Sequence, residues 1–130
     1  MKISILLKNH SKKKVILIDR FTDSTIAYQH YGMGVDINLI KILNKYLLRN
    51  INVSFTFLNI VNQKNLQKRL KQRKLLNRYD KFKTSFYNKV QNGFLKLYKK
   101  QKNKYQLINS NLDIVKNEKL ILSKIDKLIK

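Results

Sequence analysis

The sequence predicts an α/β domain in which helices cover a parallel sheet. Three short apolar segments have the length and composition of β-strands: residues 15–18, 52–60 and 105–109. Longer segments with an apolar residue at every third or fourth position separate them, as in amphipathic helices. Strands that alternate with helices are typical of parallel sheets, because a parallel crossover needs a connection of helical length. The 130 residues fit a single domain over 1–130.

Residues 15–36 contain the first predicted strand and the polar segment after it. The continuous apolar run VILI (15–18) predicts a strand that is covered on both faces. The block DRFTDSTIAYQ (19–29) then brings acids, an arginine, hydroxyls, a tyrosine and a glutamine to the carboxyl edge of the sheet, where open α/β sheets bind ligands. Gly32 and Gly34 predict a loop over residues 30–36. Two glycines could cradle an anion, but their spacing matches no dinucleotide or Walker motif, which favours a plain turn.

Residues 37–60 predict a helix followed by a second strand. Asp36 is a suitable N-cap for this helix. Apolar residues occupy a wide, lightly charged stripe over residues 37–48, which indicates deep burial or contact with another subunit. Val53, Phe55 and Phe57 alternate along residues 52–60, as expected for a strand with one packed face.

The rest of the chain predicts three helices and a third strand. A basic helix over residues 62–73 has a narrow apolar seam, Leu66 and Leu70. A long helix over residues 80–101 carries a core stripe: Phe82, Phe86, Val90, Phe94, Leu97 and Tyr98. Aromatic residues beside lysines could also indicate base stacking, but their helical spacing favours a core. Asp113 is predicted to cap the last helix, whose inward residues are Ile114, Ile121, Ile125 and Leu128.

The chain has a net charge of +22, from 29 basic and 7 acidic residues. One interpretation is nucleic-acid binding, because clustered Lys and Arg neutralise phosphates. The other is mutation bias, because Lys, Asn and Ile are abundant while alanine occurs once and proline is absent, as AT-rich codons would produce. The excess is concentrated in residues 61–104, where Asp80 is the single acid, and part of it could serve a phosphate ligand.

Cysteine, histidine and the apolar runs limit the kinds of site that the chain can carry. The absence of cysteine excludes disulfides, thiolate metal sites and a cysteine nucleophile. No apolar run approaches the roughly 20 residues that cross a bilayer, so no membrane partner is expected. Residues 1–14 do not predict a signal peptide. His10 and His30 are isolated, which favours surface or loop positions over catalysis.

The polar block after the first strand resembles a motif of the bacterial-type thymidylate kinases (dTMP kinases). DRFTDSTIAYQ, followed by GMG and Asp36, is similar to the family pattern DRF-x-x-S-x-x-AYQG-x-x-x-G. RLKQRKLLNRYD (69–80) resembles the arginine-rich lid of that family, and FYNKVQNGFLKL resembles its next helix. The resemblance covers residues 12–130. It implies a three-layer α/β fold of the phosphate-loop (P-loop) nucleoside monophosphate kinase type, with the dTMP-side motif in residues 19–36.

The resemblance implies transfer of the ATP γ-phosphoryl group to dTMP, giving dTDP, with Mg²⁺ as cofactor. Asp19 would lie near the metal and the attacking phosphate, and Arg20 would hold the dTMP phosphate, since a guanidinium fork matches phosphate oxygens. The remaining positions would form the nucleoside side of the site. Tyr28 would pack on the deoxyribose and disfavour a 2′-hydroxyl, and the thymine edge would be surrounded by Ser24, Thr25 and Gln29.

The same resemblance makes Arg69, Arg73 and Arg78 lid residues. Arg73 and Arg78 are the catalytic candidates among them, because an arginine stabilises charge on the transferred phosphoryl group. A solvated basic face is the alternative for the lid, and a structural ion pair or turn is the alternative for Asp19 and Arg20. Members of the family are usually homodimers, and the apolar helix over residues 37–48 is compatible with that.

The sequence departs from the family pattern at several positions. His30 stands where the family usually has Gly, Asn77 and Asp80 alter the lid, and Tyr87 and Asn88 replace a His-Glu pair. No Gly-rich loop ending in Lys-Ser or Lys-Thr, which would hold the ATP phosphates, occurs in the chain.

The missing phosphate loop leads us to expect an N-terminally incomplete kinase domain that is not competent alone. Three explanations remain open. In the first, the gene is split and a separately encoded N-terminal half completes the enzyme, or the start of the gene is wrongly placed. In the second, the chain is a decaying kinase remnant. In the third, it is reused as a basic scaffold or nucleic-acid-binding protein. The AT-rich composition suits a plastid or a reduced bacterial genome. The resemblance of DRFTDSTIAYQ to cyanobacterial sequences favours the plastid (chloroplast) stroma, with a bacterial-type cytoplasm as the alternative.

Overall fold

The chain forms helices around a short parallel sheet. The computed structural model describes residues 15–49, 51–72 and 83–129. In chain order the elements are α1 (Thr22–Thr25), a π-helix (Ile26–Gly32), α2 (Ile37–Leu48), β1 (Thr56–Ile60), α3 (Gln63–Gln72), α4 (Thr84–Lys100), a 3₁₀ helix (Lys102–Lys104), β2 (Tyr105–Asn109) and α5 (Ile114–Ile129).

Strands β1 and β2 pair in parallel, with Thr56 opposite Tyr105 and Ile60 opposite Asn109. Both strand predictions are confirmed, although β1 begins later than residue 52. The central residues Leu58 and Ile108 are buried. Because the strands are parallel, both end at the same edge, where the segments leading into α3 and α5 begin.

Residues 15–18 form no strand, so that prediction was wrong. Val15 is 57% exposed and Leu17 is 75% exposed, although the apolar run predicted a strand covered on both faces. A strand needs a partner to satisfy its backbone N–H and C=O groups. Among the described residues, the sheet contains only β1 and β2. The edge of β1 that faces away from β2 therefore has no strand partner within the described part of the chain.

The core lies where α4 packs against the π-helix. Ala27, Phe86 and Val90 are buried there, and Tyr28 and Phe94 pack against them. The core stripe predicted for the long helix is confirmed at these α4 positions, whereas Phe82 lies outside the described residues.

Two glycines let the π-helix and α4 approach closely. A Cβ added at Gly93 would lie 2.5 Å from Cδ2 of Tyr31, and one added at Gly32 would lie 2.6 Å from Cε2 of Phe86. Those distances are well inside van der Waals contact, which is about 3.5–4.0 Å between carbons. A side chain at either position would therefore force the neighbouring residues to shift.

The caps of α2 and α5 are as predicted, whereas their apolar faces are more exposed than burial within this chain would require. Oδ1 of Asp36 accepts a hydrogen bond from the backbone N–H of Asn38 at 2.7 Å, and Oδ1 of Asp113 accepts one from Val115 at 2.8 Å. Deep burial of α2 was wrong, since Ile40 is its one buried residue. Its exposed apolar side chains are Leu39, Ile42, Leu43, Tyr46 and Leu47.

The apolar side of α5 is also more exposed than predicted. Ile121 and Ile125 are half-buried, but Ile114 is 81% exposed and Leu128 is exposed, so the prediction of four inward residues was wrong for these two. Both lie in the outer turns of the helix, beyond its half-buried middle. No helix in the described part of the chain combines the length and apolar character needed to cross a membrane.

Candidate functional site

The predicted site begins at a strained bend that leads into α1. Asp19 and Arg20 are both exposed, and Arg20 has a φ of 59°, in the left-handed region that L-residues seldom adopt. The carbonyl oxygen of Phe21 accepts hydrogen bonds from the N–H groups of Ser24 (3.0 Å) and Thr25 (3.4 Å), which starts the helix. Uncommon backbone conformations of this kind concentrate at functional sites.

A π-helix continues directly from α1 and carries the second half of the predicted motif. The N–H of Met33 donates to the carbonyl of Tyr28 at 3.0 Å, five residues back, as a π-helix requires. The helix therefore runs to Gly32, and the loop predicted over residues 30–36 is confined to the positions after it. Gly34 has a φ of 81°, which ends the helix in the turn that its spacing favoured. Short π-helical segments often occur at functional sites.

Arg20 and Tyr28 are brought together by this backbone. The guanidinium carbon of Arg20 lies 5.5 Å from the centroid of the Tyr28 ring, a cation–π contact. Tyr28 meets Phe86 and Phe94 edge-on, with centroid distances of 6.0 Å and 6.4 Å. The aromatic core thus holds Tyr28, and Tyr28 in turn holds the guanidinium at the surface, available to an anionic ligand.

The other predicted ligand residues lie on the same continuous helical segment. Ser24 is half-buried and Thr25 is exposed, both within α1. Gln29 is half-buried in the π-helix, and its carbonyl oxygen accepts a hydrogen bond from the N–H of Val35 at 2.9 Å. Hydroxyl and amide groups on one rigid segment can donate to and accept from the edge of a planar base.

An interaction that the sequence did not reveal joins this segment to the sheet. The Tyr105 hydroxyl donates to Oδ2 of Asp23 at 2.6 Å. Burial raises the pKa of Tyr105 above its usual value, and the hydrogen bond and the negative charge of Asp23 raise it further. The two residues are 82 positions apart. The one signal in the sequence was an acidic residue in the motif to which no role had been assigned.

Hydrogen bonds join α3, which the resemblance predicts to lead into the lid, to the loop after β2. A guanidinium N–H of Arg69 donates to the carbonyl oxygen of Ser110 at 2.5 Å. Oδ1 of Asn111 accepts hydrogen bonds from the backbone N–H of Asn62 (3.2 Å) and from Nδ2 of Asn65 (2.9 Å). Arg69 therefore contacts protein backbone at the carboxyl edge of the sheet. Arg73 and Arg78 lie outside the described residues.

The motif, the helices and the parallel strands correspond to a known family. A family model described as thymidylate kinase matches residues 3–121. The chain belongs to the thymidylate kinase family. A curated thymidylate kinase of Sulfurihydrogenibium sp. (strain YO3AOP1) is 32% identical over 108 residues, which cover 83% of this chain and 52% of that protein. One of Wolbachia sp. subsp. Brugia malayi (strain TRS) is 40% identical over 90 residues, which cover 69% of this chain and 42% of that protein.

A solved thymidylate kinase shares the fold. The crystal structure of the enzyme from Ehrlichia chaffeensis matches with a TM-score of 0.64 and 28% sequence identity, covering 96% of this chain and 57% of that one. The similarity confirms the predicted α/β fold class of the P-loop nucleoside monophosphate kinases. The chain spans about half the length of the curated thymidylate kinases that it matches.

The described residues offer no dense cluster of metal ligands. No group of three or more His, Cys, Asp or Glu side chains is assembled within residues 15–49, 51–72 and 83–129. Mg²⁺ in phosphoryl-transfer sites is usually held by one or two carboxylates together with substrate phosphates. The exposed carboxylate of Asp19, beside Arg20, is compatible with that kind of site and not with an all-protein cage.

Proposed function

We propose that this chain provides the dTMP-binding side of a thymidylate kinase. The reaction is transfer of the γ-phosphoryl group of ATP to dTMP, giving dTDP for dTTP synthesis. The observation that supports it most strongly is the Arg20–Tyr28 pair, which holds a guanidinium over an anchored aromatic ring inside the family motif. A guanidinium that stacks on an aromatic ring while its N–H groups stay free can donate two parallel hydrogen bonds to the oxygens of a phosphate monoester.

The predicted ligand residues of the motif then bind different parts of dTMP. Arg20 binds the phosphate of dTMP, and Tyr28 packs against the deoxyribose, where its fixed ring leaves no room for a 2′-hydroxyl. Since Phe86 and Phe94 hold that ring on its edges, it can act as a rigid wall. The thymine edge presents donors and acceptors that match hydroxyl and amide groups, which would come from Ser24, Thr25 and Gln29.

The lid arginines and Mg²⁺ would act on the phosphoryl group that is transferred. Arg73 and Arg78 stabilise the negative charge on the group in transit, as lid arginines do in phosphoryl transfer. Arg69, already bonded to the carbonyl of Ser110, acts at the base of the lid. Asp19 would hold Mg²⁺ together with the phosphates, and the ion would neutralise phosphate charge when it is bound.

We further propose that the chain does not hold ATP productively by itself. Its three glycines form no phosphate loop, and neither Lys-Ser nor Lys-Thr follows a Gly-rich run in the 130 residues. A separately supplied segment that carries such a loop could add a strand along the free edge of β1. We also propose a plastid origin for the gene, because the AT-rich composition suits a plastid or a reduced bacterial genome and the block DRFTDSTIAYQ resembles cyanobacterial sequences. A second copy of the chain covers the exposed apolar face of α2.

Ligand-dependent melting tests the dTMP site without requiring catalysis. At about 100 times its Kd, dTMP should stabilise the chain by about 2.7 kcal/mol, which is roughly 10 °C for a domain of this size. UMP should have little effect. Arg20→Lys should weaken dTMP binding by at least about tenfold, because lysine cannot present a bidentate fork.

Arg49→Lys is the matched control for that variant. Arg49 also has a positive φ and lies over a tyrosine, with its guanidinium carbon 5.4 Å from the Tyr46 centroid, but it lies at the end of α2 outside the motif. Its dTMP response should equal that of the wild type. Equal responses of the two variants, or equal shifts with dTMP and UMP, would refute the dTMP site.

A phosphoryl-transfer assay tests competence separately. The purified chain should form dTDP only when a polypeptide carrying the phosphate-loop half of a thymidylate kinase is added. Full activity of the 130-residue chain alone would contradict the proposal that ATP binding needs a further segment, while leaving the dTMP site intact.

A further inference from the structure

One flank of α4, beside residues 31–34 of the π-helix and the turn after it, carries a row of positive charge. We call Lys89, Lys96, Lys99 and Lys100 the basic stripe; all four side chains are exposed. From residue 83 to residue 112 the chain contains no acidic residue. The charge of the stripe is therefore not balanced by carboxylates on its own helix or on the 3₁₀ helix that follows it.

A shallow cleft lies beside these lysines, and a ring in its lining restrains one of them. The cleft is open, has a volume of about 450 Å³ and is lined by Lys89, Asn92, Lys96 and the segment 31–34. Nζ of Lys96 lies 5.1 Å from the centroid of the Tyr31 ring, a cation–π contact that limits the freedom of the ammonium. Two lysines and an amide thus line one open depression beside an aromatic ring.

We propose that the basic stripe binds single-stranded nucleic acid through its phosphates. At 1.5 Å per helical residue, Lys89 and Lys96 are about 10 Å apart along the axis, and Lys96 and Lys100 about 6 Å. These steps correspond to roughly three and two nucleotides of a stacked strand at about 3.4 Å per phosphate. A linear row of exposed lysines beside an open cleft matches an extended polyanion better than a compact ligand.

The surroundings of the stripe favour nucleic acid over a membrane surface. Membrane-binding helices insert exposed apolar side chains beside their basic residues. The apolar residues of α4 are instead covered at least in part, with Phe86 and Val90 buried and Phe94, Leu95 and Leu97 half-buried. The exposed side of the helix offers lysines and polar groups such as Asn92, which suit phosphates and base edges.

The test is binding of a labelled 12-nucleotide oligodeoxyadenylate, which has no thymine to enter the proposed dTMP site. Fluorescence anisotropy over a salt series should compare the wild type with the Lys89→Gln, Lys96→Gln double variant. If both lysines contact phosphates, the slope of log K against log salt falls by about 1.4, and affinity at about 0.15 M salt falls about tenfold. Circular dichroism should show both proteins folded.

The matched control removes the same charge elsewhere. Lys119 and Lys127 are exposed on α5, which also contains Glu118 and Asp126. The Lys119→Gln, Lys127→Gln variant should lose less than about twofold in affinity and keep the wild-type slope. Equal losses in the two double variants would mean that net charge alone drives binding, and would overturn the proposal.

Two further outcomes would also overturn the proposed binding of nucleic acid. One comparison tests the basic stripe independently of the proposed dTMP site. No binding at about 0.05 M salt, or equally tight binding of a polyglutamate peptide of the same charge, would exclude a nucleic-acid surface. The Lys89→Gln, Lys96→Gln variant should keep its full melting response to dTMP. The basic stripe and the dTMP site can therefore each fail without the other.

Discussion

Replacing Gly93 by alanine tests the packing that supports the π-helix and the polar block over residues 19–29. The new Cβ would lie 2.5 Å from Cδ2 of Tyr31 and 2.8 Å from its Cβ and Cγ. Tyr31 cannot relieve the clash by rotating its ring, because its Cβ is attached to the backbone of the π-helix. Overpacking of this kind costs about 1–3 kcal/mol. Alanine recovers about 1 kcal/mol of helix propensity, so we expect a net loss of up to about 2 kcal/mol.

Urea unfolding followed by circular dichroism measures the effect as a lower midpoint at unchanged m-value. Asn92→Ala is the control, because Asn92 is exposed on the same helix and its replacement changes propensity without adding a clash. That variant should gain roughly 0.5 kcal/mol. A midpoint for Gly93→Ala at or above that of Asn92→Ala would show that α4 and the π-helix are not in tight contact at this position, and would refute the reasoning.

Three further predictions concern the hydrogen bond to Asp23, the cap of α5 and the face of α2. Because the folded-state pKa of Tyr105 is raised above its ordinary value of 10.0, wild-type stability should be intact below about pH 10 and fall as pH rises further. Tyr105→Phe should lower the free energy of unfolding by about 1 kcal/mol at neutral pH. It should also remove the part of the alkaline loss of stability that comes from ionisation of this hydroxyl. Urea midpoints measured from pH 7 to pH 11 test both expectations. Asp113→Ala should lower the free energy of unfolding by about 1 kcal/mol, whereas Asp113→Asn should retain most of the stability that the cap contributes. Equal losses of the two variants in thermal unfolding would argue against the cap. Ile42→Lys should convert a dimer to a monomer in sedimentation velocity without lowering monomer stability, since Ile42 is 65% exposed; a monomeric wild type would exclude this interface.

Features that depend on neighbouring residues were predictable from the sequence. The caps at Asp36 and Asp113 act on backbone N–H groups two residues away, so a single polar residue before an apolar-periodic segment is enough to place them. The core face of α4 follows from a helical repeat of aromatic and β-branched residues. The strand Tyr105–Asn109 was predicted with its observed bounds.

The candidate site was predictable in its residues but not in its geometry. Arg20 and Tyr28 were predicted as site residues from the motif. Their contact arises because a π-helix follows α1, and no periodicity in the sequence predicted that helix. The bond between Tyr105 and Asp23 joins residues from distant elements, and neither residue type alone predicts it. Arg69 was predicted as a lid residue, but its hydrogen bond to the carbonyl oxygen of Ser110, 41 positions away, could not be predicted from the sequence.

The sequence by itself determined the family, the polar block over residues 19–29 and the positions of most helices and strands, because these depend on local order and on spacing along one chain. Tertiary structure decided which apolar segments find partners. The run at residues 15–18 has the composition of a strand but no strand to pair with among the described residues, and α2 has a wide apolar stripe that stays largely exposed. An apolar pattern in the sequence indicates that a segment tends to be buried. Burial itself requires a second apolar surface from another part of the structure.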